Sequence, residues 1–355
     1  MATLLKGLAR KKELLLSAIL LNEGRLAEEA RCCGVDVKVI PESKKNFLEI
    51  FAVAAQYLQG KDIRILHSHR YKENLLAALL AWRCKVPFVV RSQQGLAEPY
   101  GGFKRHKQAL LHLLDRIVAR YATDRLICAS DDLRNEFLRY VEPQKVVTIH
   151  NAVDREQACS SLSLLDAKKR LGLPQDCWVI GSAGRLEPIK RLDIFLSAAS
   201  QIAARLPNTR FVVVGDGSQE APLRELAKTK GLQERALFLG HRTDIYDVLR
   251  AFDILVSCSD HEGLPTVLLE SLCLGVPVVA RSVGGIPEVI QDGVTGVLVD
   301  TGDPSALAEA CVGILTDGVR RQRLASAGIS WVAGKFAAEQ TAAKVAKLYC
   351  SLWTD

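Results

Sequence analysis

The chain has 355 residues, of which 48% are hydrophobic and 25% are charged, so it is long enough for two ordinary domains and too apolar to be disordered. No apolar run reaches the roughly 18 residues that a membrane-spanning helix needs. The 10 cysteines mostly stand singly in apolar runs, which is typical of core packing in a reducing compartment and not of a disulfide or zinc framework. The composition favours a soluble globular protein of the cytoplasm.

The formal net charge of +7 is unevenly divided, because residues 1–165 hold 26 Lys and Arg against 18 Asp and Glu. One basic cluster, Lys104 to Lys107, lies beside Tyr100 and Phe103. A basic patch with aromatic neighbours attracts anionic lipid headgroups or anionic glycans, although it can also be an ordinary solvated surface. No recognised nucleic-acid-binding motif is present, so we expect no nucleic acid partner.

The chain begins with alternating helix-like and strand-like segments. Leu4–Glu13 has a helix pattern, and Leu14–Leu21 (LLLSAILL) is an apolar run whose basic flank mimics a signal peptide. No small-residue cleavage site follows, so we expect a core strand here. Arg25–Ile40 then predicts a helix, a stop at Gly34 and an alternating strand.

The alternation continues to residue 154. The predicted elements are the strands IRILHSH (63–69), PFVVRS (87–92), DRLICAS (124–130) and KVVTIHNAVD (145–154) and the helices NLLAALLAW (74–82) and DDLRNEFLRY (131–140). Ser130 or Asp131 can cap the second helix. His67 and His69 end the first strand, on the edge of a parallel sheet where ligands bind.

A Ser-rich linker follows, and we expect two domains, residues 1–155 and 166–333, with a C-terminal helix at 334–355 that packs back on the first. The second domain alternates strands and helices with short links, which predicts a doubly wound parallel sheet of the Rossmann-like α/β type. The full GxGxxG fingerprint is missing, which argues against a nicotinamide dehydrogenase.

One stretch of the second domain, DHEGLPTVLLESLCLG (260–275), combines a strand end, a tight loop and a helix start. An apolar run, Phe252–Ser259, predicts the strand, and Gly275 with Pro277 stops the helix. Pro265 fits the first turn of the helix, so the N–H groups of Thr266, Val267 and Leu268 should point outwards. Such a helix start attracts phosphate.

Two carboxylates frame this anion site. Glu262 lies in the loop, and Glu270 lies about one turn inside the helix. Two anions in contact repel each other, so these carboxylates should bind sugar or ribose hydroxyls beside the phosphate. Either glutamate could instead be an ordinary surface acid.

Arg185 and Lys190 follow the strand WVIGSAG, at whose end Gly184 allows a sharp turn. An Arg fork and a mobile Lys charge can together neutralise a diphosphate. The alternative, an ordinary basic helix start, is electrostatically unfavourable.

EGLPTVLLE (262–270) resembles the signature of the retaining GT-B glycosyltransferases of the family 4, or glycosyl transferases group 1, type. Four further stretches agree in order: GRLEPIKRLD (184–193), VVVGDG (212–217), VGGIPEVIQDGVTGVLV (283–299) and GDPSALA (302–308). The resemblance implies two Rossmann-like domains facing a cleft.

The resemblance also implies that a nucleotide sugar is the donor substrate and that the enzyme, a hexosyltransferase of the EC 2.4 class, needs no metal or other cofactor. Its donor-binding residues would be Gly184, Arg185, Lys190, Gly263, Leu264, Thr266, Val267 and Glu270. Glu262 would contact the sugar as a catalytic residue. The donor phosphate itself would take the proton of the acceptor, with retention of anomeric configuration.

In the first domain, the resemblance implies a catalytic sugar contact for His69, the better match to the family's histidine, while a lone histidine such as His67 is more often structural. The family commonly has His-Gly after the next strand, whereas this chain has Gln94-Gly95, and its Asn-Gly-Val-Asp motif is here Asn-Ala-Val-Asp (151–154). These departures put an acceptor-side role of Gln94 and the local turn geometry in question.

The expected first strand and glycine turn of the N-domain are missing from the sequence. We hypothesise that residue 1 is not the natural start or that this protein has lost the strand. A nucleotide-sugar-binding but catalytically impaired protein is therefore an alternative to the enzyme, and a nucleotide-sugar epimerase is a more distant one. The expected acceptor is a glycan or a lipid-linked sugar, in surface polysaccharide or lipopolysaccharide synthesis at the inner face of the membrane.

Overall fold

The computed structural model describes residues 1–96 and 104–354. The chain divides into two compact units, one formed by Met1–Ala152 with Ala338–Asp355 and the other by Val153–Ala337. We call them unit 1 and unit 2. Tyr100 and Phe103, the aromatic neighbours of the basic cluster, lie outside the described residues.

The described residues of unit 1 form two parallel sheets. The strands are β1 (Ser17–Leu20), β2 (Asp36–Val39), β3 (Ile65–Ser68), β4 (Phe88–Gln93), β5 (Arg125–Cys128) and β6 (Val146–Thr148). The helices are α1 (Ala2–Ala9), α2 (Arg25–Cys32), α3 (Phe47–Leu58), α4 (Tyr71–Cys84), α5 (Lys104–Tyr121), α6 (Asp131–Phe137) and, at the end of the chain, α15 (Ala338–Thr354). In the described residues, β1 pairs with β2 alone, and the other four strands form a sheet in the order β3-β4-β5-β6.

The first strand of unit 1 is shorter than the apolar run suggested. β1 covers Ser17–Leu20, and Leu15 is fully exposed, so the prediction that the whole run forms a core strand is wrong at its start. Leu14 and Leu16 instead pack against a cluster that includes Leu8 of α1 and Val345 of α15.

The helix ends predicted for unit 1 are confirmed only in part, since the helix predicted at Leu4–Glu13 lies at Ala2–Ala9. Gly34 stops α2 with a left-handed φ of 76°. Of the two candidate caps for α6, Ser130 is the one used, since its Oγ accepts a hydrogen bond from the Leu133 N–H. His67 lies inside β3, and His69 lies just beyond its end.

Unit 2 contains one six-stranded parallel sheet in the order β12-β11-β10-β7-β8-β9. Its strands are β7 (Trp178–Ala183), β8 (Thr209–Val214), β9 (Ala236–Phe238), β10 (Ile254–Ser257), β11 (Val278–Arg281) and β12 (Gly296–Val299). The helices between and after them are α7 (Leu164–Arg170), α8 (Leu192–Arg205), α9 (Glu220–Thr229), α10 (Ile245–Arg250), α11 (Thr266–Cys273), α12 (Ile286–Val289), α13 (Pro304–Leu315) and α14 (Gly318–Lys335). The predicted alternation and parallel sheet are confirmed.

This strand order is that of the doubly wound Rossmann-like fold, in which all strands are parallel and the order of the strands reverses at the centre of the sheet. The reversal falls between β7 and β10, which pair at Ile254 with Ile180 and at Leu255 with Gly181. Loops that leave two such strands in opposite directions open a crevice at their carboxyl ends. Unit 2 therefore offers a ligand site at the ends of β7 and β10.

A buried ion pair lies at the amino ends of β7 and β10, opposite the crevice at their carboxyl ends. Lys168 Nζ donates to Asp253 Oδ2 at 2.8 Å and to the Cys177 carbonyl at 2.8 Å, and both charged side chains are 3% exposed. Asp253 Oδ2 also accepts from the Val179 N–H. Because removal of either charge would leave the other buried and unpaired, the pair ties α7 to the starts of β7 and β10.

Candidate functional site

A pocket opens at the crevice between β7 and β10. Its lining comes from the ends of both strands, the loop after each and the start of α11: Ser182, Ala183, Gly184, Arg185, Lys190, Leu192, Leu255, Val256, Ser257, Cys258, Ser259, Glu262, Val267 and Leu268. Five of the ten predicted site residues line it, namely Gly184, Arg185, Lys190, Glu262 and Val267. The serines and leucines of the lining were not predicted as site residues, because strand register and helix packing decide which side chains face a pocket.

Glycine shapes the β7 side of the pocket. Gly184 has a φ of 154°, which allows the turn predicted there, and its carbonyl oxygen would lie 1.9 Å from a Cβ on Gly215 after β8. Only a residue without a Cβ lets the two loops approach this closely. The loops are further joined because the Leu186 N–H donates to the Asp216 carbonyl at 2.7 Å.

Lys190 was predicted to bind the diphosphate and Glu262 to contact the sugar, and in this structure the two side chains contact each other. Lys190 Nζ donates to Glu262 Oε1 at 2.6 Å, and the side chains are 23% and 12% exposed. Ser259 Oγ, at the end of β10, also donates to Glu262 Oε1 at 2.6 Å. The Glu262 carboxylate is therefore held by an ammonium group and a hydroxyl group at the pocket wall.

The backbone of the Glu262 loop is fixed from the β11 side. The Glu262 carbonyl accepts from the Gly285 N–H at 3.0 Å. A Cβ on Gly284, whose φ is 53°, would lie 2.0 Å from the same carbonyl oxygen. The Val-Gly-Gly of the predicted motif at 283–299 thus supports the carboxylate loop, a role that its sequence spacing did not reveal.

Arg281, the last residue of β11, supports the other end of the loop. Its Nη1 donates to the Cys258 and Ser259 carbonyls, each at 3.2 Å, and to the Asp260 carboxylate. The side chain is 15% exposed. Sequence reasoning missed Arg281, because these contacts join positions more than 20 residues apart.

Helix α11 begins one residue later than its sequence suggested. Pro265 is the N-cap, with φ −72° and ψ 117°, and the first helical residue is Thr266. The Leu268 N–H donates to the Pro265 carbonyl at 3.3 Å, so the expectation that this N–H points outwards is wrong. Proline's fixed φ suits either position, and the extended ψ decides in favour of the cap.

The remaining donor-binding candidates surround this helix start. Leu264 is 3% exposed and belongs to the core, Gly263 is buried, and Thr266 is exposed. Glu270 is partly buried on the fifth residue of α11, one turn inside the helix as predicted. None of these four lines the pocket itself.

In unit 1 the two histidines form a stacked pair at the end of β3, with ring centroids 4.3 Å apart. His67 Nδ1 lies 2.5 Å from the Tyr349 hydroxyl of α15, and its Nε2 lies 2.8 Å from the Ser92 hydroxyl of β4. Burial lowers the pKa of His67 to about 3, so its ring is neutral at pH 7. Both nitrogens of His67 are thus used inside unit 1, which agrees with a structural role.

His69 has a different environment. Burial, followed by the neighbouring His67, holds its pKa well below the ordinary value. A neutral imidazole can exchange hydrogen bonds with a sugar hydroxyl but does not carry a charge near pH 7. The predicted sugar contact of His69 stays a prediction.

A buried polar network supports the strand end beside Gln94. Arg91, 1% exposed, donates to Asp115 Oδ2 at 2.8 Å and to Gln93 Oε1 at 3.0 Å. Gln93 Nε2 in turn donates to the Gly95 carbonyl. The turn after β4 is therefore held in place by Arg91 through Gln93. The sequence had predicted only that Arg91 lies in a strand.

Two protein-family models match this chain, one in each half. The model of the family described as "Glycosyl transferases group 1" matches residues 165–331, and that of "Glycosyltransferase Family 4" matches residues 3–157. The UDP-Gal:alpha-D-GlcNAc-diphosphoundecaprenol alpha-1,3-galactosyltransferase of Escherichia coli is 32% identical over 268 residues, 74% of this chain and 69% of the relative. The chain belongs to the family 4, group 1 glycosyltransferases.

Other relatives agree with this assignment. The lipopolysaccharide core biosynthesis mannosyltransferase LpsB of Rhizobium meliloti is 28% identical, with 83% of this chain and 81% of the relative covered. The Anabaena protein HepE, solved in complex with UDP and glucose, has a TM-score of 0.86 at 20% identity and covers 99% of this chain and 95% of its own. This glycosyltransferase therefore has the GT-B fold predicted from the sequence, and it is a hexosyltransferase-type enzyme.

Among the described residues of this glycosyltransferase, no helix is both long and apolar enough to cross a bilayer.

Proposed function

We propose that this glycosyltransferase moves a hexose from a nucleotide-diphosphate sugar to a glycan or lipid-linked acceptor with retention of anomeric configuration. The observation that carries the proposal is the convergence of Arg185, Lys190 and Glu262 on one pocket at the reversal point of the unit 2 sheet. Support for the donor class comes from HepE, whose solved structures include UDP, glucose and UDP-glucose.

The donor diphosphate is placed between two positive features. Arg185 and Lys190 contribute full charges from the β7 side, and the first N–H groups of α11 contribute the positive end of the helix dipole. The ribose hydroxyls would lie on Glu270, one turn along the same helix. This arrangement neutralises the diphosphate while it is bound and as it leaves.

Lys190 has a second role in this proposal. A carboxylate close to a diphosphate is repelled by it unless a cation lies between them. The ammonium of Lys190 lies 2.6 Å from Glu262 Oε1, where it can screen that repulsion by donating hydrogen bonds to both the carboxylate and the phosphate. Glu262 then accepts hydrogen bonds from the sugar hydroxyls.

In the reaction, the acceptor oxygen forms a bond to the anomeric carbon, and the bond from that carbon to the donor phosphate oxygen breaks. The departing phosphate oxygen takes the proton of the acceptor hydroxyl on the same face of the sugar, which retains the configuration. Arg185 and Lys190 stabilise the charge that grows on the leaving nucleoside diphosphate, by about 3 kcal/mol for each well-placed donor. This route requires no metal ion. His69 contributes a neutral contact to the sugar.

The acceptor class and the pathway are inferred from the names of two relatives. The names of the Escherichia coli and Rhizobium meliloti relatives specify a diphosphoundecaprenol-linked sugar and the lipopolysaccharide core. We assign this chain to the same kind of chemistry, surface polysaccharide or lipopolysaccharide synthesis, in the cytoplasm at the inner face of the membrane.

One observation favours a second candidate function, a nucleotide-sugar-binding protein with impaired catalysis. In the described residues, β1 and β2 form no strand pairing with the β3-β4-β5-β6 sheet. A strand between β1 and β3 would join the two sheets and supply a backbone turn at their carboxyl ends. Without that turn, unit 2 could still bind the donor while transfer is slow.

The first experiment is thermal unfolding of the full chain with UDP, GDP and ADP, each alone. A ligand at a hundred times its dissociation constant stabilises the folded state by about 2.7 kcal/mol. We expect one nucleotide to raise the unfolding temperature, and Lys190→Ala and Glu270→Ala to abolish the shift. Lys228→Ala, at an exposed ion pair of α9, is the matched control.

The second experiment separates the enzyme from the impaired binder. The nucleotide sugar that corresponds to the stabilising nucleotide is incubated with lipid-linked acceptors, and product anomers are assigned by NMR coupling constants. Transfer with retention supports the main proposal. Nucleotide binding without any transfer supports the second candidate, and an inverted product contradicts the mechanism above.

A further inference from the structure

The contacts of the Glu262 side chain fall on one of its two carboxylate oxygens. Lys190 Nζ and Ser259 Oγ each donate to Oε1 at 2.6 Å. No hydrogen bond from the described residues reaches Oε2, and Oε2 is not sealed off from solvent. Since Glu262 lines the pocket between β7 and β10, Oε2 is the oxygen that remains available to accept hydrogen bonds from a ligand there.

The two donors to Oε1 respond differently to a bound ligand. The Lys190 ammonium has three N–H groups on a flexible stem and is 23% exposed, so it can turn towards a phosphate. The Ser259 hydroxyl has a single proton, and Ser259 is only 2% exposed. A donor diphosphate would therefore compete with Glu262 for Lys190 but not for Ser259.

The backbone around Ser259 is fixed by two contacts. The Ser259 carbonyl accepts a hydrogen bond from Arg281 Nη1 at 3.2 Å. The N–H of the next residue, Asp260, donates to the Ile189 carbonyl at 2.9 Å, which joins this segment to the loop that carries Lys190. These contacts hold Ser259 Oγ in place beside the pocket wall.

We propose that Ser259 is a positioning residue of the transfer reaction. Its hydroxyl remains hydrogen-bonded to Glu262 Oε1 while Lys190 turns to the donor diphosphate, so that Oε2 stays directed at a hydroxyl of the donor sugar. A hydrogen bond from a hydroxyl to an ionised carboxylate is short and strong, in agreement with the distance of 2.6 Å. This role rests on the proposed function and adds to it the oxygen of Glu262 that binds the sugar.

Two other roles of Ser259 are distinguishable from this one. If the hydroxyl only stabilised the fold, its loss would lower the unfolding free energy without changing kcat/KM. If the hydroxyl itself bound the sugar, its loss would lower kcat/KM whether or not Glu262 were present. A positioning role requires that the effect on kcat/KM depends on Glu262.

The first test compares Ser259→Ala with wild type in initial-rate measurements on the full chain, with the nucleotide sugar and lipid-linked acceptors of the transfer experiment. We expect kcat/KM to fall about tenfold or more, as for a lost hydrogen bond to a charged group. The fall should not exceed that caused by Glu262→Ala, because Ser259 acts only through Glu262.

Ser200→Ala is the matched control, because Ser200 lies in the same unit and its hydroxyl also donates one hydrogen bond, to the Lys230 carbonyl at 3.2 Å. Both variants should keep the wild-type stabilisation by UDP, GDP or ADP, since a nucleoside diphosphate carries no sugar for Glu262 to contact. A retained response also shows that each variant is folded. Equal kcat/KM for Ser259→Ala and Ser200→Ala would overturn the inference and leave the proposed function intact.

The second test adds Ser259→Ala to Glu262→Ala. If Ser259 acts through Glu262, the double variant should have the kcat/KM of Glu262→Ala within about twofold. A further fall as large as the one that Ser259→Ala causes in wild type would overturn the positioning role, because the hydroxyl would then act without Glu262.

A binding measurement covers a chain that binds the donor without transfer. In wild type, the thermal shift with the nucleotide sugar should exceed the shift with the nucleotide alone, and this excess should be smaller in Ser259→Ala. An equal excess in both proteins, or no excess in wild type, would overturn the inference. A wild type that binds neither ligand would overturn the proposed function, and the role of Ser259 with it.

Discussion

Lys190 and Glu262 form an ion pair of 2.6 Å at the pocket between β7 and β10, although 72 residues separate them in the chain. Lys190 lies on the loop after β7 and Glu262 on the loop after β10. The two loops meet because β7 and β10 are neighbouring strands at the point where the strand order reverses. The pair is therefore both a support of the pocket and, in the proposed mechanism, the place where phosphate and sugar are distinguished.

Lys190→Ala and Glu262→Ala should each lower kcat/KM at least about a hundredfold, since one removes a charge from the diphosphate and the other a contact to the sugar. Initial rates over a range of donor concentrations check this. Lys190→Ala should also raise the nucleotide dissociation constant, whereas Glu262→Ala should affect mainly kcat. Near-normal rates for either variant would remove that residue from the mechanism, and Lys228→Ala serves as the control.

Gly284→Ala should disturb the Glu262 loop, because the new Cβ would lie 2.0 Å from the Glu262 carbonyl oxygen in addition to the strain of a φ of 53°. We expect a loss of unfolding free energy above about 2 kcal/mol together with a fall in kcat/KM. Chemical denaturation and donor kinetics measure the two effects.

Gly293→Ala is the control for that comparison. Gly293 has a similar φ of 68°, but a Cβ there meets nothing within 4 Å. It should lose only about 1–2 kcal/mol and keep its activity. Equal behaviour of the two variants would show that the close approach at Glu262 has no consequence.

Arg281→Met should shift the Glu262 loop, because it leaves the Cys258 and Ser259 carbonyls without their donor. Loss of hydrogen bonds to a charged group costs about 1.5–3 kcal/mol, so we expect kcat/KM to fall about tenfold or more. Arg281→Lys, which keeps a donor, should recover part of the loss. If Arg281→Lys and Arg281→Met have the same kcat and KM, Arg281 does not position the loop. Arg205→Gln, at an exposed ion pair, is the control.

The stability of the folded chain should depend on pH through His67. Its pKa is about 3 in the folded state, below the ordinary value of about 6.5, so the unfolded chain binds more protons between these values. The contribution of His67 is constant above about pH 6.5, and below it the unfolding free energy falls by up to about 1.4 kcal/mol per pH unit, down to about pH 3.

Urea unfolding of wild type and His67→Gln between pH 4 and pH 8 checks this expectation. The difference between the two curves should shrink as the pH falls, because the glutamine does not titrate. His241→Gln, in the other unit, is the control for the loss of a histidine elsewhere. Curves for wild type and His67→Gln that run parallel over the whole range would contradict the assignment.

The sequence by itself determined the order and type of most elements in both halves. Strand and helix periodicities are local, as are helix stops such as Gly34 and Gly275, and these were read correctly. The EGLPTVLLE and GRLEPIKRLD motifs also indicated the family and placed Arg185, Lys190 and Glu262 near one crevice, since strand ends in a parallel sheet share an edge.

Only the tertiary structure decided how those residues contact each other. Three contacts join positions that are distant in the chain. They are the Lys190–Glu262 ion pair, the close approach of Gly284 to the Glu262 carbonyl, and the hydrogen bond from Arg281 to the Cys258 carbonyl. Such contacts follow from strand order and register, which a single sequence does not encode locally.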